Sequence, residues 1–270
     1  MREYHFFDSH CHIDFAEFDE SRNMLLQQAL NSGIIKMLVP GVTLVQSKRI
    51  LSSLESCIIN SSSKIQDLIP KLYFAVGLHP YFFTEHKTHH IDELEQLCVL
   101  NRNKIVAIGE CGIDSSIADT EKQKSLFIAH IALANKLELP LIVHHRQSHN
   151  LIEQAFKQIR PQFGGVIHAF SGSLQQAKSY IKMGFKIGVG GVITYQRANK
   201  TRATINQLPL ESLLLETDAP SMPISGKQGE INTPIALIAI FEQLVSLRKE
   251  NKDVISKQLY INSLDIFNLV

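Results

Sequence analysis

The chain carries a set of histidines and carboxylates whose surroundings suit metal chemistry. His10 and His12 stand in Asp8-Ser9-His10-Cys11-His12-Ile13-Asp14, directly after an apolar run. In extended backbone, residues i and i+2 project to the same side, so both imidazoles can meet one cation while Cys11 turns away. The plainer alternative is a polar loop after an edge strand. Glu110 lies between glycines in Gly109-Glu110-Cys111-Gly112-Ile113-Asp114, where it can approach one metal or bridge two; otherwise it is a carboxylate at a helix start. Cys111 alternates away from Glu110 and is expected to pack. Asp218 ends Leu214-Leu215-Glu216-Thr217-Asp218-Ala219-Pro220. A buried carboxylate needs a partner, and a metal or its water supplies one. From there Asp218 could orient or deprotonate an attacking water. Glu216 is expected beside it in support. His144 and His168 each close a further apolar run.

A mixed imidazole and carboxylate set serves hard and borderline dications, whereas a thiolate set would suggest structural zinc. Six ligands (His10, His12, Glu110, His144, His168, Asp218) exceed what one tetrahedral ion needs. Two divalent ions, Mg, Mn or Zn, about 3.5–4 Å apart are therefore expected.

Around this set, Arg146 stands two residues after His144, on the same side, where it could grip a phosphate with both guanidinium arms. His79, in Gly77-Leu78-His79-Pro80, reads either as a substrate contact or as loop structure. Ser171 and Ser173 either donate to phosphate oxygens or cap the next helix. Arg197, Lys200 and Arg202 either hold a nucleic-acid backbone or lie on a solvated helix face. His145 is expected to face away from His144. His5, His86, His89, His90, His130 and His149 lack convergence and read as surface or core.

The elements that must position these groups alternate along the whole chain. Strands are expected over Tyr4–Asp8, Ile35–Val39, Leu72–Val76, Ile105–Gly109, Leu141–His144, Val166–His168, Phe185–Val189 and Leu213–Glu216. Several are continuous apolar runs, as in parallel strands covered on both faces. Amphipathic stretches lie between them, and two further helices are expected at Pro234–Lys249 and Val254–Asn268. Roughly eight β/α units point to a (β/α)8 TIM barrel, a single domain over residues 1–270. An open doubly wound sheet is the alternative, but no switch point identifies one. On the barrel reading, every candidate ligand falls at the carboxyl end of a strand, the face where barrel enzymes place their sites.

At 270 residues the chain fits one such barrel, and 44% apolar against 20% charged residues allows a large core. Balanced charges give a net +1, far from the basic field of a duplex-binding protein. Four cysteines (Cys11, Cys57, Cys98, Cys111) without CxxC spacing do not suggest a disulfide framework. The N-terminal residues lack a signal-peptide core and no stretch is apolar enough to span a membrane. These features lead us to expect a cytoplasmic monomer.

Together these motifs resemble the TatD family of metal-dependent deoxyribonucleases, in particular its YjjV-like branch. The likeness rests on the segments around His10, His79, Glu110 and Asp218, with His144-His145-Arg146 and His168-Ala169-Phe170-Ser171-Gly172-Ser173, in family order along nearly the whole chain. Gly188-Val189-Gly190-Gly191-Val192-Ile193-Thr194-Tyr195, and Met222-Pro223 followed by Gly226 and Gly229, suggest the branch. The resemblance implies a barrel of the amidohydrolase superfamily, divalent metals on the six residues above, and hydrolysis of phosphodiester bonds in DNA, with exo- or endonucleolytic attack left open. Two departures are Ser115-Ser116 after Asp114 and Gln147-Ser148 after Arg146; neither removes a ligand.

The leading expectation is thus phosphoester hydrolysis, with Asp218 and Glu110 catalytic and Arg146, His79 and Ser171 facing substrate. C–N hydrolysis by an amidase or deaminase is the alternative, since similar barrels share His-x-His and the late Asp. Strand 4 discriminates, because binuclear members of that kind commonly bridge their metals with a carboxylated lysine where this chain has Glu110. A non-enzymatic metal-dependent binding protein is a third reading, disfavoured by the complete ligand set.

Overall fold

The computed structural model describes residues 4–54 and 69–269; Cys57 lies outside them. Its eight strands are β1 (Phe6–Asp8), β2 (Ile34–Pro40), β3 (Lys71–Val76), β4 (Ile105–Asp114), β5 (Leu141–Arg146), β6 (Gly165–Ile167), β7 (Phe185–Val189) and β8 (Leu213–Leu215). They pair in parallel, each with the next in sequence order. The ends of the sheet meet beyond the ladder: Ser9 N–H donates to the Leu215 carbonyl (2.9 Å), Asp218 N–H to that of His10 (2.9 Å) and His12 N–H to that of Ala219 (2.8 Å). The result is a nearly closed (β/α)8 barrel, as the alternation predicts.

Helices α1 (Arg22–Asn31), α2 (Leu44–Arg49), α3 (His90–Leu100), α4 (Thr120–Leu137), α5 (His149–Gln158), α6 (Leu174–Lys182) and α7 (Asn199–Gln207) connect the strands, and α8 (Ala236–Leu247) and α9 (Lys252–Ile266) follow β8. Ser173 starts α6 through a reciprocal capping box with Gln176, which resolves its two readings in favour of the cap.

The strand period of two divides the core. Phe7, Leu38, Ala75, Ala107, Ile142, Val166 and Leu214, from seven of the eight strands, form one cluster closed by Phe267 after α9. Their neighbours Phe6, Met37, Phe74, Leu141, Ile167 and Leu213 pack with helix residues such as Leu26, Phe127 and Ala177. The first set fills the lumen, and the second lies under the helical ring.

Two strands run past their expected ends in a way that bears on the site. β4 continues through Glu110 to Asp114, and β5 through His144 to Arg146. Glu110 therefore sits within its strand and not after it, and His144 lies two residues before the end of its own. Between Ile108 and Cys111, which face Leu141 and Val143, β4 carries one extra residue. Such a bulge re-aims side chains, and here it turns Glu110 into the barrel mouth beyond Gly109.

Candidate metal centre

Continuing the lumen-facing alternation by two residues leads from Ile142 to His144, from Val166 to His168 and from Leu214 to Glu216. Barrel closure then sets the β8 extension beside the β1 extension. Asp218 thereby meets His10 and His12, with its backbone in the left-handed region (φ 56°), a conformation costly for a non-glycine residue and common at functional sites. Asp8 braces the junction, its carboxylate accepting from Thr217 N–H (3.0 Å) and from the Thr217 hydroxyl (2.6 Å).

Glu110 sits at the middle. Its Oε2 lies 3.1 Å from His10 Nε2 and 3.4 Å from His12 Nε2. Its Oε1 lies 3.0 Å from His144 Nδ1 and 3.1 Å from His79 Nε2. Asp218 Oδ1 is 3.6 Å from the Nε2 atoms of both His10 and His12 and 3.5 Å from His168 Nε2. The His10 and His168 rings stack at 3.5 Å. One carboxylate thus faces two imidazole groups with its two oxygens.

The electrostatics of this cluster favour cations. Burial pushes the Glu110 carboxyl up, but His79, His10 and His12 outweigh it and hold it well below the usual range. Burial likewise opposes ionisation of Asp218, and His168, His10 and His12 overcome it. Burial lowers the histidines, yet Glu110 raises His12, Asp114 and Glu110 raise His144, and Glu216 and Asp218 raise His168 well above its ordinary value. His10 is lowered, by burial and by His168. This negative potential draws positive charge onto the imidazoles, and a metal ion answers the same demand. The spacing fits as well: donors about 2.0–2.2 Å from one tetrahedral ion are about 3.3–3.6 Å apart, close to the 3.1–3.6 Å separations among His10, His12, Glu110 and Asp218.

The far ring nitrogens separate the outer histidines. His168 Nδ1 is 3.0 Å from Glu216 Oε1, and His144 Nε2 is 3.5 Å from Asp114 Oδ2. A carboxylate behind the ring is the usual support of a metal-binding histidine. His79 is held otherwise: its Nδ1 accepts from Tyr81 N–H (3.0 Å). Burial keeps this imidazole neutral, against the pull of Glu110. With Nδ1 unprotonated, the proton resides on Nε2, which donates toward Glu110.

Both supporting carboxylates are themselves held. Glu216 Oε1 accepts from Ala169 N–H (2.5 Å). Its carboxyl fits against β7 because position 188 is glycine, where a Cβ would lie 2.6 Å from Oε1 and closer still to Oε2. Asp114 accepts from Ser116 N–H (2.8 Å) and the Ser116 hydroxyl (2.6 Å). Burial raises Asp114, but His144 and Ser116 bring it well below the carboxylate range. The departures at Ser116 and Ser148 are thus internal braces, for Ser148 donates to the Ile113 carbonyl (2.5 Å) and ties β5 to β4.

Above the cluster opens a cavity of about 520 Å³, lined by His12, His79, Glu110, His144, His168 and Asp218 and also by Arg146 and Ser171. The cavity further admits Phe15, Tyr81, Phe82 and Asp114. The family model for TatD-related DNases matches residues 7–268. The chain belongs to this family. It is 40% identical over 266 residues to the Escherichia coli protein named uncharacterized metal-dependent hydrolase YjjV, covering 98% of each. The crystal structure of the E. coli YjjV protein, a TatD homologue, matches with a TM-score of 0.89 at 39% identity over 98% of both chains. A relative in Pantoea ananatis, named 3'-5' ssDNA/RNA exonuclease TatD, is 27% identical over 98% of this chain and 100% of its own. This TatD-family chain is a metal-dependent hydrolase, and the family match does not favour the C–N alternative.

Several side groups fall elsewhere than their type suggests. His145, expected to face away, packs against His149 (4.3 Å between ring centroids) and still reaches the cavity wall. His130 is a core residue: Nδ1–H donates to the Leu126 carbonyl (2.8 Å) and Nε2 accepts from Leu78 N–H (3.1 Å). Arg202 donates to the Ile193 carbonyl (2.5 Å) and Arg197 lies over Tyr195 (5.3 Å), so both take part in local structure; Lys200 is exposed. Sequence reasoning assigns no role to Asp8 or Asp114, although both stand inside the quoted motifs. The aromatic lining from Phe15, Tyr81 and Phe82 escapes it too, because nothing in their spacing points to the mouth.

No helix among the described residues is long and apolar enough to cross a membrane.

Proposed function

We propose that the chain is a phosphodiesterase acting on single-stranded nucleic acid, DNA above all, and holding two divalent cations (Mg, Mn or Zn). His10, His12, Asp218 and Glu110 Oε2 would hold one cation; Glu110 Oε1, His144 and His168 would hold the other. The observation that carries this reading is Glu110, whose Oε2 faces His10 and His12 at 3.1 and 3.4 Å while its Oε1 faces His144 at 3.0 Å and the N–H donor His79 at 3.1 Å. The exonuclease name of the Pantoea relative supports the substrate class.

The bound ions would supply Lewis acidity toward a phosphoryl oxygen and acidify an attacking water. The chain's own residues do the rest. Asp218, ionised and facing the cavity, orients that water and takes its proton. Arg146, which makes no side-chain hydrogen bond or ion pair among the described residues, grips non-bridging oxygens with its planar fork. Ser171 offers its hydroxyl to oxygens of the same phosphate, and His79 would offer its Nε2–H there once that proton turns from Glu110. A buried wall around Glu110 and His10 keeps bulk solvent from the donors and strengthens every charge interaction there.

The test is release of nucleotides from end-labelled single-stranded DNA with Mn²⁺ or Mg²⁺, in wild type, His10→Ala and Asp218→Ala. Stepwise mononucleotide release would establish exonucleolytic attack, and internal fragments endonucleolytic attack. Full activity in excess EDTA, or no cleavage with any divalent ion, would overturn the proposal.

A further inference from the structure

We propose that Tyr81 is a stacking platform for a base of the single-stranded substrate, backed by Phe82 and opening onto the same cavity as Phe15; the inference rests on the nuclease reading above. Tyr81 is 66% exposed, and of the large apolar side chains that are exposed among the described residues it alone lines the cavity. An aromatic ring left bare beside a hydrolytic cavity is a surface without a protein partner.

Local hydrogen bonds hold the backbone beneath Tyr81. Tyr81 sits on Pro80–Glu85, a short 3-10 stretch that begins with proline and is kinked at Phe82. Tyr81 N–H is held by His79 Nδ1 at 3.0 Å, Phe82 N–H donates to the His79 carbonyl at 3.1 Å, and the His86 ring lies 2.8 Å from that same carbonyl. The Tyr81 and Phe82 rings form a T-shaped pair, 5.4 Å between centroids, and both line the cavity. Phe82 abuts His79 (6.2 Å), and Phe15 stacks on His12 (4.6 Å). The aromatic wall is therefore built onto the side chains of the hydrolytic centre.

Charge points the same way. With a net charge of +1, the molecule has no broad positive field to hold a polyanion. Affinity for a strand must come from short-range contacts, and stacking supplies them without regard to base identity, since every base has a π-face. Paired, stacked bases in a duplex offer no free face, so the platform selects single strands or frayed ends. Arg146 and Ser171, on the same cavity, present polar groups to the sugar-phosphate side.

The chain contains no tryptophan, so Tyr81→Trp introduces a single indole reporter. The metal-loaded variant is titrated with a hydrolysis-resistant phosphorothioate oligo(dT) and with an abasic phosphorothioate strand of equal length. Stacking predicts quenching by the first and not by the second. In parallel, wild type should prefer base-bearing over abasic single strands by roughly tenfold to a hundredfold in kcat/KM. Tyr81→Ala should collapse that preference toward unity, and Tyr81→Phe should restore it. Equal quenching by both strands, or a preference that persists in Tyr81→Ala, overturns the platform. If wild type cleaves no DNA, the nuclease reading fails while the quenching titration still decides the platform.

Discussion

His168 Nδ1 lies 3.0 Å from the Glu216 carboxylate, which leaves His168 Nε2 pointing at Asp218. Glu216 has no place in the cavity lining, yet its carboxylate stands directly behind a ring that has. Replacing it with glutamine or alanine should weaken metal affinity and activity about 10–100-fold while leaving the fold intact. Metal titration followed by calorimetry reads this directly. Unchanged affinity in Glu216→Ala would show that His168 needs no such support.

Gly188 offers the same test from the other side of the contact. A methyl group there would lie 2.6 Å from the carboxyl carbon of Glu216. Gly188→Ala should push that carboxylate off His168 and reproduce much of the Glu216→Ala loss. The two changes should be strongly non-additive, since both act through one ring. Additive losses in the double variant would place the Gly188 effect elsewhere.

His79 and His144 approach the same oxygen of Glu110 but should differ when the bound metal is counted. His144→Ala removes a donor backed by Asp114, and metal content should drop. His79→Ala removes an N–H donor whose other nitrogen is taken by Tyr81, so elemental analysis should find the wild-type metal content with reduced turnover. Equal metal loss in both variants would make His79 a ligand.

Arg146 is a binding group in this scheme, not a ligand. Charge-assisted hydrogen bonds of this kind are worth about 1.5–3 kcal/mol, so Arg146→Met should lower kcat/KM on single-stranded DNA roughly tenfold to a hundredfold. Arg146→Lys should recover part of the loss, since a point charge cannot reproduce the planar fork. The metal content should stay constant throughout, and a change in it would contradict the assignment.

His130 links stability to pH away from the cavity mouth. Burial holds its pKa down to about 4, against 6.5 for an exposed imidazole. Between those values the unfolded chain binds the proton and the folded chain does not, so stability is present above pH 6.5 and declines as pH falls toward 4. The full effect is about 3 kcal/mol, from 1.36 kcal/mol per pKa unit. Urea unfolding of the metal-free protein at pH 7 and 4.5 should show this decline, and His130→Gln should make it shallower.

Much of the site is legible in the order of the amino acids. The apolar runs mark all eight strands, and their ends mark His10, His12, Glu110, His144, His168 and Asp218 as neighbours of one face, because the strand period and the barrel rule are local and general. Arg146 can be aimed from His144 by the same period, and the cavity lining agrees. The bulge at Ile108–Cys111 that turns Glu110 into the mouth is not legible in this way, since an extra residue shows only against its partner strand. Nor does residue order separate His79 from His144, or identify Tyr81 as part of the cavity. A histidine's role depends on what each ring nitrogen meets, and an aromatic's role on what is left uncovered. Apart from Tyr81 beside His79, those partners come from distant segments, so residue type and spacing determined the inventory of candidate residues, while only the tertiary contacts brought them together.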